Sequence, residues 1–219
     1  SYFATQTGIF LPVFALEVMS GFLLVVIASL FGGDSVSSEA TWGNLRAILT
    51  RPIARGRLLG AKLASALLLT FIATILVSVV GLAAGGATFG LHALSVPILG
   101  IQQSVGHVIA NLGLSTLYVF WGLAAVVALG FMVSTMTDSV AGAIFAPIGF
   151  YFVTRILDNI EAIGKIRYVF PTHYIDAWIN LFIGGSTNDM HTGWLIQIPY
   201  VLAFSAFGWF WFRRKDILS

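Results

Sequence analysis

Leu58-Leu-Gly-Ala-Lys-Leu-Ala-Ser-Ala-Leu-Leu-Leu-Thr-Phe-Ile-Ala-Thr-Ile-Leu-Val-Ser-Val-Val-Gly-Leu-Ala-Ala84 carries one charged residue, Lys62, in 27 positions. A helix crosses about 30 Å of hydrocarbon with about 20 apolar residues, so this run predicts a membrane-spanning helix. The rest of the chain is of the same kind. Of its 219 residues 58% are hydrophobic and 9% charged, against about a quarter charged in soluble domains. The expected fold class is all-α: a polytopic membrane protein forming one transmembrane domain over residues 1–219, with no room for a soluble domain. There is no cysteine, which excludes disulfides, thiolate metal sites and cysteine nucleophiles.

Outward from that run, four more stretches are long and apolar enough to span: Ile9 to Phe31, Leu112 to Val133, Val140 to Ile156 and Trp194 to Phe212. Pro147 should kink the fourth of the five spans, because proline removes a backbone hydrogen bond and clashes with the preceding turn. Lys and Arg orient them. Arg46, Arg51, Arg55, Arg57 and Lys62 lie in one loop and Arg213, Arg214 and Lys215 at the end of the chain, whereas only Arg155, Lys165 and Arg167 fall on the other side. The basic loop and the C-terminus are therefore expected in the cytoplasm, and Ser1 outside. A start outside without a leader leads us to expect a further span before Ser1. Gly85 to Asn111 reads as an interfacial segment. Beyond it, Ile175, Trp178, Ile179 and Phe182 recur at helical spacing, predicting an amphipathic helix over about 172–183 that dips into the outer leaflet.

The polar interruption from Asp34 to Lys62 is too long for a bare turn. Trp42, Leu45, Ile48 and Leu49 fall on one helical face, Ser35, Ser37 and Ser38 offer N-cap oxygens, and Glu39 suits a first turn. Pro52 pushes Arg51 out of the helical region and ends the segment. A short helix over about 38–50 follows, with Gly43 inside it at a cost of about 1 kcal/mol relative to alanine. Two readings stand side by side: a helix resting on lipid headgroups, or one gripped by a partner.

Glu39, Gly43, Leu45, Leu49, Pro52, Arg55, Leu58, Leu59 and Lys62 resemble the signature of the ABC type-2 permease family, in which Glu is followed by Gly-Thr-Leu, a Leu-Leu pair, Pro-x-x-Arg and Leu-Leu-x-Gly-Lys. Asn44 stands in place of the usual Thr. Ser134 to Ser139 is similar to the family's tight cytoplasmic turn, Phe170 through Gly185 to its outer re-entrant helices, and Phe212 to Asp216 to its basic terminus, so the resemblance runs over essentially the whole chain. It implies a six-helix exporter subunit of a prokaryotic inner membrane, here lacking the first helix. It also implies that the 38–50 segment is a coupling helix docking on a separate ATP-binding subunit, through Glu39, Trp42, Gly43, Leu45, Arg46, Ile48, Leu49 and Pro52. The implied partners are that ATPase, which would bind ATP and Mg, a second permease copy, and membrane lipid. No cofactor is expected in this chain.

Glu17 is the one acidic residue deep in an expected span, where a charge is costly unless it faces protein or water. It shares a helical face with Ser20, Gly21, Leu24 and Ala28, and has two readings: a lining of a substrate path together with Ser20 and Gly21, or a carboxyl holding helices together. The histidines, His92, His107, His173 and His191, are scattered without metal-ligand spacing. Gly81-x-x-x-Gly85 reads as close helix packing, Arg155 as a snorkelling side chain, and Trp194, Trp209 and Trp211 as interfacial belts. No P-loop or dinucleotide motif occurs, no catalytic residue is assigned, and nothing suggests nucleic acid. The alternatives to an ATP-driven exporter are a stand-alone channel or secondary transporter, a membrane-embedded enzyme, and a structural or assembly subunit.

Overall fold

The computed structural model describes Gly8 and residues 10–41, 55–90, 94–96 and 101–214. It is helical apart from one small hairpin. Helix α1 (Phe10–Gly21) and α2 (Leu23–Thr41) meet at a 52° bend. Helix α3 (Arg55–Phe89) leads to strands β1 (Leu94–Val96) and β2 (Ile101–Gln103), paired antiparallel with Leu94 opposite Gln103. Helices α4 (Val105–Met136) and α5 (Val140–Asp158) follow. Then come 3-10 turns over Glu161–Val169 and Ala177–Ile179, the single turn α6 (Asn180–Ile183), and α7 (Asn188–Arg214).

Four of these helices (α3, α4, α5 and α7) are long and apolar enough to cross a membrane, or five spans if the bent α1–α2 pair is one. Such a set is that of a multi-pass membrane protein. Its axis is α4. Within their apolar stretches 72% of α4 is buried by the chain itself, against 28% of α3, 22% of α5 and 17% of α7, so α4 is surrounded and the others each keep an outward apolar face. Val119, Leu123, Val127 and Phe131 of α4 are all fully buried, and Leu24, Val25 and Ala28 of α2 lie in the same core as the first three.

The α2–α4–α5 contact is a close backbone approach. A Cβ on Gly33 would stand 2.5 Å from the Ala143 carbonyl oxygen, and one on Gly32 would collide with the Val127 carbonyl. Pro147, four residues after Ala143, has no N–H to return to that carbonyl, so the oxygen turned toward Gly33 is one that the α5 ladder leaves free. Gly81 and Gly85 similarly bring α3 onto Pro12 and Gly8, and the small-residue spacing there serves packing within the chain.

Several expectations change. The first span is not one straight helix: it breaks after the Ser20-Gly21 pair, and Gly/Ser pairs are a recurrent cause of sharp kinks. It then continues ten residues beyond Phe31 to Thr41. Ser35, Ser37 and Ser38 are therefore not N-caps of a new helix; their hydroxyls donate to Gly32 O, Gly33 O and Asp34 O within α2, each at 2.7 Å. Residues 38–41 close α2, and the remainder of the expected 38–50 helix, with Trp42, Gly43, Leu45, Arg46, Ile48, Leu49 and Pro52, lies outside the described residues. The Gly85 to Asn111 segment is absorbed at both ends by α3 and α4 and carries the β1–β2 hairpin between them, with Ser104 capping α4 through its bond from His107 N. The expected 172–183 helix is broken into turns, a 3-10 piece and α6, and its apolar stripe faces protein: Ile175, Trp178 and Phe182 are buried in the main core.

Candidate functional site

Two groups of polar side chains sit at opposite ends of the bundle. At the end where α2 stops and α3 starts, Glu39 Oε1 pairs with Lys62 Nζ at 2.7 Å, and the same ammonium donates to Ser35 O at 2.6 Å. The pair is mostly shielded, at 26% and 17% exposed, where charges attract more strongly than on an open surface. Thr41 Oγ1 donates to Asp138 O at 2.7 Å, which ties the end of α2 to the α4–α5 turn. Ser134 Oγ of α4 accepts from the N–H groups of Val36 and Ser37 at 2.9 and 2.8 Å. The two stems of the 42–54 connection are thus fixed to each other and to α4. A cleft of about 310 Å³ opens beside them, between Phe31, Asp34 and Ser35 of α2 and Lys62, Ser65 and Leu69 of α3.

Nearer the hairpin end, Arg155 of α5 forms an ion pair with Asp176 and donates to Thr172 O at 3.3 Å. Arg155 therefore does not snorkel: with a carboxylate and a carbonyl within reach, its guanidinium is held by the segment that folds back between α5 and α7. The same segment is stitched from every side. Tyr118 OH of α4 donates to Tyr174 O at 2.6 Å, Gln197 Nε2 of α7 to Pro171 O at 2.8 Å, Tyr200 OH to Val169 O at 2.9 Å, and both Gln103 Nε2 and Asn111 Nδ2 to Leu181 O at 3.0 Å. His173 Nδ1 lies 2.5 Å from Asp158 Oδ1. Partial burial, helped by Asp189, Tyr168 and Asp158, pushes the Tyr174 phenol above its ordinary range.

Glu17 belongs to this second group. Its carboxyl lies within electrostatic range of Asp176 and Arg155, and its Oε2 is buried with no hydrogen-bond partner. Glu17, Ser20 and Gly21 lie within α1, where positions i, i+3 and i+4 fall on one helical face. Ser20 is buried with its hydroxyl on Glu17 O at 3.1 Å, whereas a Cβ on Gly21 would meet open space; the bend comes after all three and resets the helical phase only for the residues beyond it. Leu24 and Ala28, expected on that same face, are core residues.

Trp194 is not a free belt residue either. It stacks on Trp121, whose Nε1 donates to Trp194 O at 3.0 Å, and Trp209 covers Gly56 and Gly60 of α3. The Arg155–Asp176 pair and Gln197 carry no signal in the sequence beyond polarity near a span end. Among the described residues no three His, Asp or Glu side chains gather as metal ligands.

The chain belongs to a family described as a protein of unknown function (DUF2705), whose model matches residues 4–218. No curated protein matches it.

Proposed function

We propose that this chain is the membrane subunit of an ATP-driven ABC exporter of the type-2 kind, paired with a second permease copy and with two ATP-binding subunits. The observation that carries this reading is the cross-tie at the stems of the 42–54 connection: Glu39 to Lys62 at 2.7 Å and Thr41 to Asp138 at 2.7 Å. A docking element has to hand movement to the spans, and tied stems let α2, α3 and the α4–α5 turn take that movement together. In this reading residues 38–50 include the coupling element, with Glu39 anchored to Lys62 and Trp42, Leu45, Ile48 and Leu49 in the ATPase groove. Nucleotide binding draws the ATPases together and changes the side to which the path between the two permeases opens. The cargo is of the amphipathic drug or lipid class, the membrane is the cytoplasmic membrane of a prokaryote, and the coupling loop faces the cytoplasm.

Leu45→Asp or Leu49→Asp should leave membrane insertion intact and abolish both co-purification with a nucleotide-binding subunit and transport-coupled ATPase activity. Normal coupling in both variants would sink the docking role. One feature favours a second reading, a secondary transporter: the bend between α1 and α2 next to Glu17, since such proteins bind substrate at discontinuous helices. Its counterpart in a matching half is missing among the described residues, where α5 and α7 run unbroken past Pro147 and Pro199. Transport in proteoliposomes containing this chain alone, driven by an ion gradient, would establish that reading and remove the first.

A further inference from the structure

A small, partly enclosed cavity lies where the folded-back segment meets the long helices. Gly122 of α4, Tyr151 of α5, Pro171, Thr172 and Ile175 of the segment, and Gln197 of α7 line it. The space open to the centre of a water molecule is about 10 Å³, close to the minimum for one water and far below what an organic ligand needs. Thr172 and Gln197 are 2% and 4% exposed, yet Thr172 Oγ1 and Gln197 Oε1 each have no hydrogen-bond partner. The Gln197 amide cannot turn to correct this, because its Nε2 is committed to Pro171 O at 2.8 Å.

Buried polar groups are paired as a rule, by protein or by ordered water. Nothing lining the cavity is ionised, which argues against a metal ion or a charged ligand, and the Thr172 hydroxyl, which could donate to an amide oxygen, makes no direct bond to Gln197 Oε1. We propose that this cavity is a binding site for a single structural water, which donates to Gln197 Oε1 and exchanges a hydrogen bond with Thr172 Oγ1. It couples α7 to the segment beside the point where Arg155 holds Thr172 O. The proposal is independent of whether the chain exports anything.

The sign of one substitution tests it. Thr172→Val keeps the shape and removes the hydroxyl. With a bridging water the variant loses a partner for the water and unfolds about 2–4 °C lower in lipid nanodiscs, whereas Thr172→Ser retains the wild-type midpoint. Without the water the same variant only removes an orphaned hydroxyl, and its midpoint is unchanged or higher; that result would overturn the proposal. A double-mutant cycle of Thr172→Val with Gln197→Met should show coupling between side chains that do not bond each other directly, and strict additivity counts against the bridge. Should the valine variant fail to fold, the wild-type protein decides. A high-resolution map with a peak within hydrogen-bond distance of Thr172 Oγ1 and Gln197 Oε1 supports the site, and an empty cavity at that resolution overturns it.

Discussion

Ser134 shows how much one small side chain does in an apolar bundle. It is buried, and its oxygen accepts from two consecutive N–H groups of α2. Ser134→Ala leaves those groups without that partner, in surroundings where an unsatisfied donor costs about 1–3 kcal/mol. The expected result is a thermal midpoint several degrees below wild type, measured in nanodiscs; an unchanged midpoint would show that the two N–H groups are satisfied within α2. The sequence places Ser134 only in a tight turn, because a serine's value there depends on a helix about a hundred residues away. Glu17 is legible as an outlier for its charge alone. Its companions are not, since Arg155 and Asp176 are brought to it by two separate chain reversals.

At the scale of elements, hydropathy finds the spans but not their ends. Val140 reads correctly as the start of α5, where Ser139 accepts from Gly142 N as a local cap. The ends of α3 and α4 read short by up to seven residues, since Ala87, Thr88, His107 and Asn111 are compatible with helix without being strongly apolar. The bend between α1 and α2 is invisible for a different reason: both arms are apolar, and only the Ser20-Gly21 pair marks the break. Gly21→Ala tests that cause. A Cβ there meets nothing within 4 Å, so the change acts on backbone preference rather than by collision. As the chain has no cysteine, spin labels on cysteines introduced at Phe14 and Asp34 report cleanly. Their separation should lengthen by about 3 Å as the 52° bend relaxes, from helical rise alone. An unaltered distance would mean that packing against α3 and α4 imposes the bend. The folded-back 170–183 segment reads with the right apolar residues and the wrong neighbour, since a stripe of Ile175, Trp178 and Phe182 fits lipid and protein equally well.

For the molecule as a whole, the uneven burial of its helices separates positions that tolerate charge from those that do not. Val80 on α3 is 60% exposed and apolar. If α3 faces lipid there, Val80→Arg costs about 2.5–3.5 kcal/mol of insertion free energy on the translocon scale, and a glycosylation-based insertion assay should show reduced membrane integration of that span. Unimpaired integration would place Val80 against water or polar protein. The 42–54 connection lies outside the described residues, and the docking role proposed for it rests on the resemblance and on the stems that flank it.

The length of α3 has a consequence for how the molecule sits. Its 35 residues rise about 52 Å, and hydrocarbon is about 30 Å thick. Even at a tilt of about 40°, the upper end of what membrane helices adopt, α3 would still need about 40 Å along the bilayer normal. It cannot be swallowed by the membrane, and α4, with 32 residues, faces nearly the same excess. Part of each helix therefore stands outside the lipid tails, at the β1–β2 hairpin end, at the opposite end or divided between the two. Accessibility of an epitope placed in the hairpin, compared with one placed before Arg55, in intact and permeabilised cells shows which way the molecule points.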